Sequence, residues 1–296
     1  MAAAATTRSG SGFWQRRATI RRFEKATAYV LVTFLGILYA IPFLWMVSTS
    51  LKPPWDLDNV PPNWIPTTVQ LQNYPSALLK EGRYFPLFFR NTLVYVLLSV
   101  FGQLLSCTLV AYGFARIPFK GNRFLFTLVL STMMLPAQVL LIPQYLLFKQ
   151  LGWLDSPLPL VVPQYFGTAF YIFLLRQFFM TIPRELDEAA LVDGANHLDI
   201  YWRILLPLCR PILITVFALS FVAHWNDFFG PLIYLNSRDK MVVATALRLF
   251  VVPALQLPIH ELMAASVTTL MPVIALFFFC QRAFVRGITM TGLREG

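Results

Sequence analysis

The sequence predicts an all-α membrane protein with six transmembrane helices and both termini in the cytoplasm. Three observations carry this. The 296-residue chain is 57% hydrophobic and only 13% charged, about half the charged share of an average soluble protein, and its mean hydropathy is +0.62. Charge-free windows recur at 26–51, 91–115, 124–148, 156–175, 211–226 and 262–281, and about 20 mostly apolar residues suffice to cross a bilayer. Lys and Arg gather in alternate connecting segments, 16 of the 24 falling on one side of a six-helix layout; the positive-inside rule makes that side cytoplasmic. The net charge of +10 is therefore a topology signal and not a nucleic-acid patch.

Each element follows in order. Residues 1–25 form a basic cytoplasmic tail, starting with the low-complexity run MAAAATTRSGSG. The apolar run 26–47 is 22 residues, roughly 33 Å as a helix; a signal-peptide core is about 7–15 residues, so this is an uncleaved first span. Pro- and Trp-rich residues 52–84 make an outer loop, with Trp55 and Trp64 suited to the headgroup level. Pro136 and Pro143 interrupt the third helix. The fifth window reaches full length when Asp227 is included and the helix runs to Leu235. Segment 241–260 holds Arg248, Pro253 and Pro258, a pattern that fits an interfacial or re-entrant piece and not a seventh span. The transmembrane domain occupies 26–284 and a cytoplasmic tail 285–296. Cys107, Cys209 and Cys280 fit no metal or disulfide spacing and read as free thiols.

The most polar interior stretch, ELDEAALVDGANHLDIYWRILLPLCRP at 185–211, lies between the fourth and fifth spans, inside a cytoplasmic loop at 181–210. Pro183 suits a first helical turn. Glu185, Asp187 and Glu188 complement the positive helix end. Leu186, Ala189, Ala190 and Val192 make a small apolar stripe, and Gly194 stops the helix. Asn196 caps a second helix, with Asp199 three residues on; this helix carries Leu198, Tyr201, Trp202 and Leu205 and ends at Pro207. Two capped helices in a loop of about 30 residues exceed what a link requires and predict a docking surface for a soluble partner.

The spacing of this stretch resembles the permease subunits of binding-protein-dependent ABC importers. Their pattern is EAA, three residues, Gly, nine residues, Ile, one residue, Leu-Pro. Here it reads Glu188-Ala189-Ala190, Gly194, Ile204 and Leu206-Pro207. Further stretches resemble the carbohydrate-uptake branch, whose pattern is that of the shorter permease of maltose-type importers: RNTLVYV at 90–96, LVAYGFARIPFKG at 109–121, MMLPAQVLLIPQY at 133–145, HWNDFFGPL at 224–232, and MAASVTTLMPVIALFFFCQRAFVRGIT at 263–289. The tail departs from the family, ending GLREG where a Gly-small-Val-Lys-Gly pattern is frequent.

The resemblance implies a type I importer permease (MetI-like) fold in the inner membrane. It implies a loop that couples to an ATPase through Glu185, Glu188, Ala189, Ala190, Asp193, Gly194, Ile204, Leu206 and Pro207. The implied partners are a second homologous permease, two ATP-binding subunits and an extracytoplasmic solute-binding protein, with a sugar as cargo and lipid around the spans. ATP and Mg would be bound by the partner ATPase and no cofactor by this chain. The sequence itself has no G-x-x-x-x-G-K-[ST] loop, no G-x-S-x-G elbow and no completed H-E-x-x-H at His260, so the chain is expected to be non-catalytic.

Polar residues at membrane depth mark either a solute path or helix–helix hydrogen bonds. His224, Trp225, Asn226 and Asp227 are the candidates, with His224 and Asp227 three apart on one face; Gln103, Gln138, Gln144 and Gln164 raise the same question. A self-contained secondary transporter is the rival reading. It would rest on Asp227 as the one strictly intramembrane carboxylate, and no inverted repeat supports it.

Overall fold

Charge-free stretches become the long helices of the computed structural model, which describes residues 11–80, 84–250 and 258–292. Side chains are described for 23–80, 84–136, 138–250 and 258–281. In chain order the helices are α1 (Ser11–Ser50), α2 (Asn73–Leu79), α3 (Phe85–Arg116), α4 (Asn122–Ser131), α5 (Ala137–Gln150), α6 (Leu158–Val161) and α7 (Ala169–Phe179). Next come α8 (Glu185–Val192), α9 (His197–Asp199), α10 (Leu206–Leu208), α11 (Arg210–Trp225), α12 (Phe229–Tyr234), α13 (Val243–Ala246) and α14 (Ile259–Gly292). A π-helical turn, Ile200–Leu205, joins α9 to α10.

Among the described residues four helical stretches are long and apolar enough to cross a membrane: Phe23–Ser50, Phe85–Arg116, Leu158–Phe179 and Ile259–Gln281. Two bent pairs raise this to six if each pair is one span. One is α4 with α5, which turn sharply at Leu135 and Pro136; Pro143 stays inside α5. The other is His197–Leu208 with α11, bent by 79°.

The fifth window departs from the expected continuous helix. α11 ends at Trp225, Asn226 caps it, and a new helix starts at Phe229. Asp227 turns back to accept the Gly230 N–H at 3.1 Å, which supplies a local alternative to the helical ladder. The described part of 241–260 is the short α13, a 3-10 turn at Leu247–Phe250 and, from Ile259, the start of α14. Val243 and Ala246 are fully buried there against Phe85 and Phe88, so 243–250 is a short packed segment and not a span. Residues 251–257 lie outside the described residues, as do residues 1–10 of the basic tail and 293–296 of the C-terminal tail.

α3 is the central strut. It packs on α7, α11 and the 162–166 turn, while α1 lies outside and meets the bundle along α14. The apolar residues of α1 from Phe23 to Leu44 are largely exposed. In lipid this is no penalty, since acyl chains are as apolar as leucine.

Contacts between helices are then set by close approach and by hydrogen bonds. Gln103 on α3 is buried and donates to Gln164 (3.1 Å) and Thr168 (2.7 Å). It also accepts from the Ser220 hydroxyl of α11. Of the glutamines singled out above, Gln103 and Gln164 therefore bind helices together, and Gln138 and Gln144 are exposed. One residue earlier, Gly102 lets the Tyr165 ring lie against α3: an added Cβ would sit 2.3 Å from it. Gly102→Val is expected to force the ring and its turn off α3, at a cost of about 1–3 kcal/mol for overpacking. Size-exclusion of the variant in mild detergent should show aggregated material; a wild-type profile would mean that the ring swings aside freely.

The two ends of the bundle are built differently. At one end, loop 51–72 folds over the end of α1. Ser48 donates to the Trp64 carbonyl, Trp64 meets Trp45 edge-on at 5.0 Å, and the Lys52 ammonium sits 4.0 Å over the Trp45 ring. Trp64 thus has ring and backbone contacts to the end of α1, and both it and Trp55 remain exposed. Asp56 accepts from the Thr67 N–H (2.8 Å) and hydroxyl (2.7 Å), and these bonds hold its carboxyl below the ordinary range. Asp155 clamps the 236–240 turn by accepting from Asn236, Ser237 and Lys240. Ser237 first, then Lys240, pull its carboxyl well below the ordinary range. Asn91 of α3 ties in the same turn through the carbonyls of Asp239 (2.7 Å) and Met241 (3.1 Å). The opposite end carries α8 to α10.

Candidate functional site

Three carboxylates in the first turn of α8, Glu185, Asp187 and Glu188, offset the partial positive charge of its N-terminus. Pro183 lies before the capping residue Arg184 and is not itself helical. α8 ends in a Schellman arrangement: Ala195 N–H bonds the Ala190 carbonyl (2.9 Å) and Gly194 N–H the Leu191 carbonyl (3.1 Å). The motif places Gly194 at φ +84°, a left-handed conformation that costs a residue with a Cβ about 1–2 kcal/mol.

The chain restarts at once. Asn196 Oδ1 accepts from the N–H groups of Leu198 and Asp199, both at 2.9 Å, and Asp199 answers with a bond to the Asn196 N–H. This reciprocal box fixes the second helix, which runs to Leu208 with Pro207 inside its last turn and not at its end. The π-helical turn before Pro207 relieves the backbone pairing that a proline removes.

Burial splits the segment into two faces. Ala190, Ile200, Tyr201 and Leu205 are buried with Cys107, Ala111 and Ala115 of α3 and with Leu175 and Phe179 of α7. Leu186, Leu191, Val192, Leu198 and Trp202 are exposed, with Val192 the extreme at 87%. Between the two helices lies a hollow of about 280 Å³, walled by Asp193, Gly194, Asp199, Arg203 and Ile204. Of the sequence-predicted docking residues, Glu185, Glu188, Ala189, Asp193, Gly194 and Pro207 are exposed; Ile204 and Leu206 are half-buried; Ala190 faces the core. An exposed apolar patch rimmed by charge marks a surface that meets protein or membrane.

The second constellation lies on α3, the last turn of α11 and the break that follows it. The Tyr95 hydroxyl donates to Asp227 Oδ2 (3.1 Å) and contacts His224 Nδ1 (3.2 Å). The hydroxyl has one hydrogen, so with that hydrogen on the carboxylate the His224 contact is a hydrogen bond when Nδ1 carries the ring proton. Asp227 Oδ1 holds the Gly230 N–H. Tyr95 also lines a cavity of about 130 Å³ with Arg90, Asn91, Val94, Leu160 and Lys240. His224 and Asp227 are thus brought together, through a residue the sequence reading missed. Trp225 turns the other way: its indole N–H bonds the Thr269 carbonyl of α14 (3.1 Å) and its ring stacks on Phe221. Asn226 is exposed and bonds back to the Val222 carbonyl.

Comparison with known proteins follows the same lines. A family model described as "Binding-protein-dependent transport system inner membrane component" matches residues 107–290. The arabinooligosaccharides transport system permease protein AraQ of Bacillus subtilis is 31% identical over 262 residues, 88% of this chain and 92% of the relative. The maltodextrin transport system permease protein MdxG of the same organism is 30% identical, over 93% of this chain and 98% of the relative. A crystal structure of a bacterial ABC transporter involved in the import of the acidic polysaccharide alginate contains a chain of the same fold. Its TM-score is 0.78 at 23% identity, and the match covers 94% of this chain and 99% of that one.

Proposed function

As this chain belongs to the binding-protein-dependent transport system inner membrane components, we propose that it forms one half of a two-permease pore whose 185–208 segment seats on an ATPase. It is a permease subunit of an ABC sugar importer, a multi-pass protein of the plasma membrane. It is not itself an enzyme: ATP is hydrolysed by a separate subunit, and solute arrives on a solute-binding protein.

The observation that carries the finer reading is the geometry of α8 to α10. Two helices, capped at both sides of a left-handed Gly194, present Leu186, Val192, Leu198 and Trp202 outward at one end of the bundle. Glu188, Ala189 and Gly194 supply the surface that enters a cleft of the ATPase. Ala190 and the half-buried Ile204 and Leu206 hold that surface to the spans.

Counting α4 with α5 as one span and α11 with α12 as another gives six, with 197–208 left to the loop, and the positive-inside rule then assigns both termini and the coupling loop to the cytoplasm. The permease domain is then 26–284, flanked by tails at 1–25 and 285–296. Two ATP-binding subunits, which hold ATP and Mg, serve this chain and a second homologous permease. Closure of the ATPase pair draws the coupling helices together and turns the bundle outward to accept sugar. His224 and Asp227, joined by Tyr95 beneath the Arg90–Lys240 cavity, belong to the solute path on the outer side. The relatives name arabinooligosaccharides and maltodextrin, so an oligosaccharide is the cargo.

Reconstitution tests the reading. The chain, its ATPase, its partner permease and its binding protein are placed in liposomes with labelled oligosaccharides, neutral and acidic. Uptake should require both ATP and the binding protein and should survive an ionophore. Uptake without the ATPase that an ionophore abolishes would overturn it.

A further inference from the structure

We infer that Arg116 is a positioning residue that joins the coupling loop to α3, with Asp187 as its partner, so that motion of the docked loop is delivered to α3; this rests on the docking reading above. Arg116 closes α3 and is buried. Its Nη2 donates to the carbonyls of Phe179 (2.7 Å) and Ile182 (2.8 Å), at and just beyond the end of α7. Its Nη1 lies 3.1 Å from Asp187 Oδ2 on α8. Three elements therefore meet on one guanidinium, whose planar fork of donors suits several fixed acceptors at once.

The spacing extends the argument. Thr108, Tyr112 and Arg116 are four residues apart and share one face of α3. Thr108 meets the Tyr201 hydroxyl at 2.7 Å, and Tyr112 meets His197 Nδ1 at 3.4 Å. The lower half of α3 thus presents a polar stripe to both helices of the loop, Asp187 on α8 and His197 and Tyr201 beyond Gly194.

An apolar cluster already packs this region, so adhesion alone does not call for a buried charge, which is expensive to bury unless paired. Arg116 Nε and Asp187 Oδ1 are buried with no hydrogen-bond partner among the described residues. The pair is a one-point contact and not a two-pronged fork. It ties α8 to α3 while leaving their angle free to change, as a joint between a moving lever and a strut requires.

The test uses the complete transporter in liposomes with Asp187→Asn, and with the double variant Arg116→Met/Asp187→Leu, an apolar pair of similar volume. The ATPase should still co-purify with both. ATP hydrolysis should cease to respond to loaded binding protein, and uptake per ATP should fall about tenfold, inside the usual range for coupled sites. Wild-type uptake per ATP in the double variant would reduce the pair to packing and overturn the inference. Loss of the ATPase from Asp187→Asn alone would make Asp187 a docking contact, which also overturns it. Absence of the ATPase from the wild-type complex would instead refute the docking reading itself.

Discussion

Gly194→Leu should abolish ATP-driven uptake while leaving the transmembrane bundle folded. The argument is local. Gly194 sits at φ +84° with nothing within 4 Å of where a Cβ would lie, so the substitution meets no steric block inside this chain. Its cost within the chain is the left-handed backbone, about 1–2 kcal/mol for a residue with a Cβ, carried by a turn at the end of the bundle. An exposed leucine there also stands in the path of the ATPase. Uptake and ATPase co-purification should both fall by at least about tenfold, the factor that 1.4 kcal/mol represents, with an unchanged size-exclusion profile. Gly194→Asn separates bulk from strain, because Asn tolerates the left-handed region; it should keep the ATPase and most of the uptake. Full transport by the leucine variant would remove this turn from the coupling mechanism.

Asp227→Asn is expected to have the next largest effect. The substitution keeps size and retains an oxygen for the Gly230 N–H. It replaces the charged acceptor facing Tyr95 with an amide that donates. With the Asn oxygen on Gly230, Tyr95 accepts from the amide and its hydrogen is free to turn to His224 Nδ1. Packing tolerates such an exchange, since hydrogen bonds between membrane helices average only about 0.6 kcal/mol. A solute path does not, because the charge and the donor pattern beneath the Arg90–Lys240 cavity both change. Uptake should drop about tenfold or more while the assembled complex is recovered in full, the signature of a functional intramembrane carboxylate. Trp225→Phe is the control: it loses one bond to the Thr269 carbonyl and keeps the ring stack, so uptake should remain near wild type. Equal uptake by Asp227→Asn and wild type would assign the Tyr95 constellation to packing.

The sequence by itself determined whatever is set by the bilayer and by short-range chemistry. A bilayer demands long apolar runs, and the six windows locate the helical segments. Helix ends depend on a few neighbouring residues, so the Gly194 turn and the Asn196–Asp199 cap were legible from spacing alone, and with them the loop that resembles a coupling element. The break at Asn226 was not legible, because Asp227 competes with the helical ladder only once it holds Gly230 and Tyr95. Nor were the partners of α3. Tyr95 meets residues 129 and 132 positions away, and Arg116 meets the end of α7 and α8 across more than 60. The four-residue spacing of Thr108, Tyr112 and Arg116 was visible, but it names a face and not what lies against it. Only the tertiary structure decided those pairings. In lipid an apolar side chain gains little by choosing protein over acyl chain, so hydrophobicity does not tell a helix which face turns inward, and close approach at small residues and the matching of buried polar groups settle it.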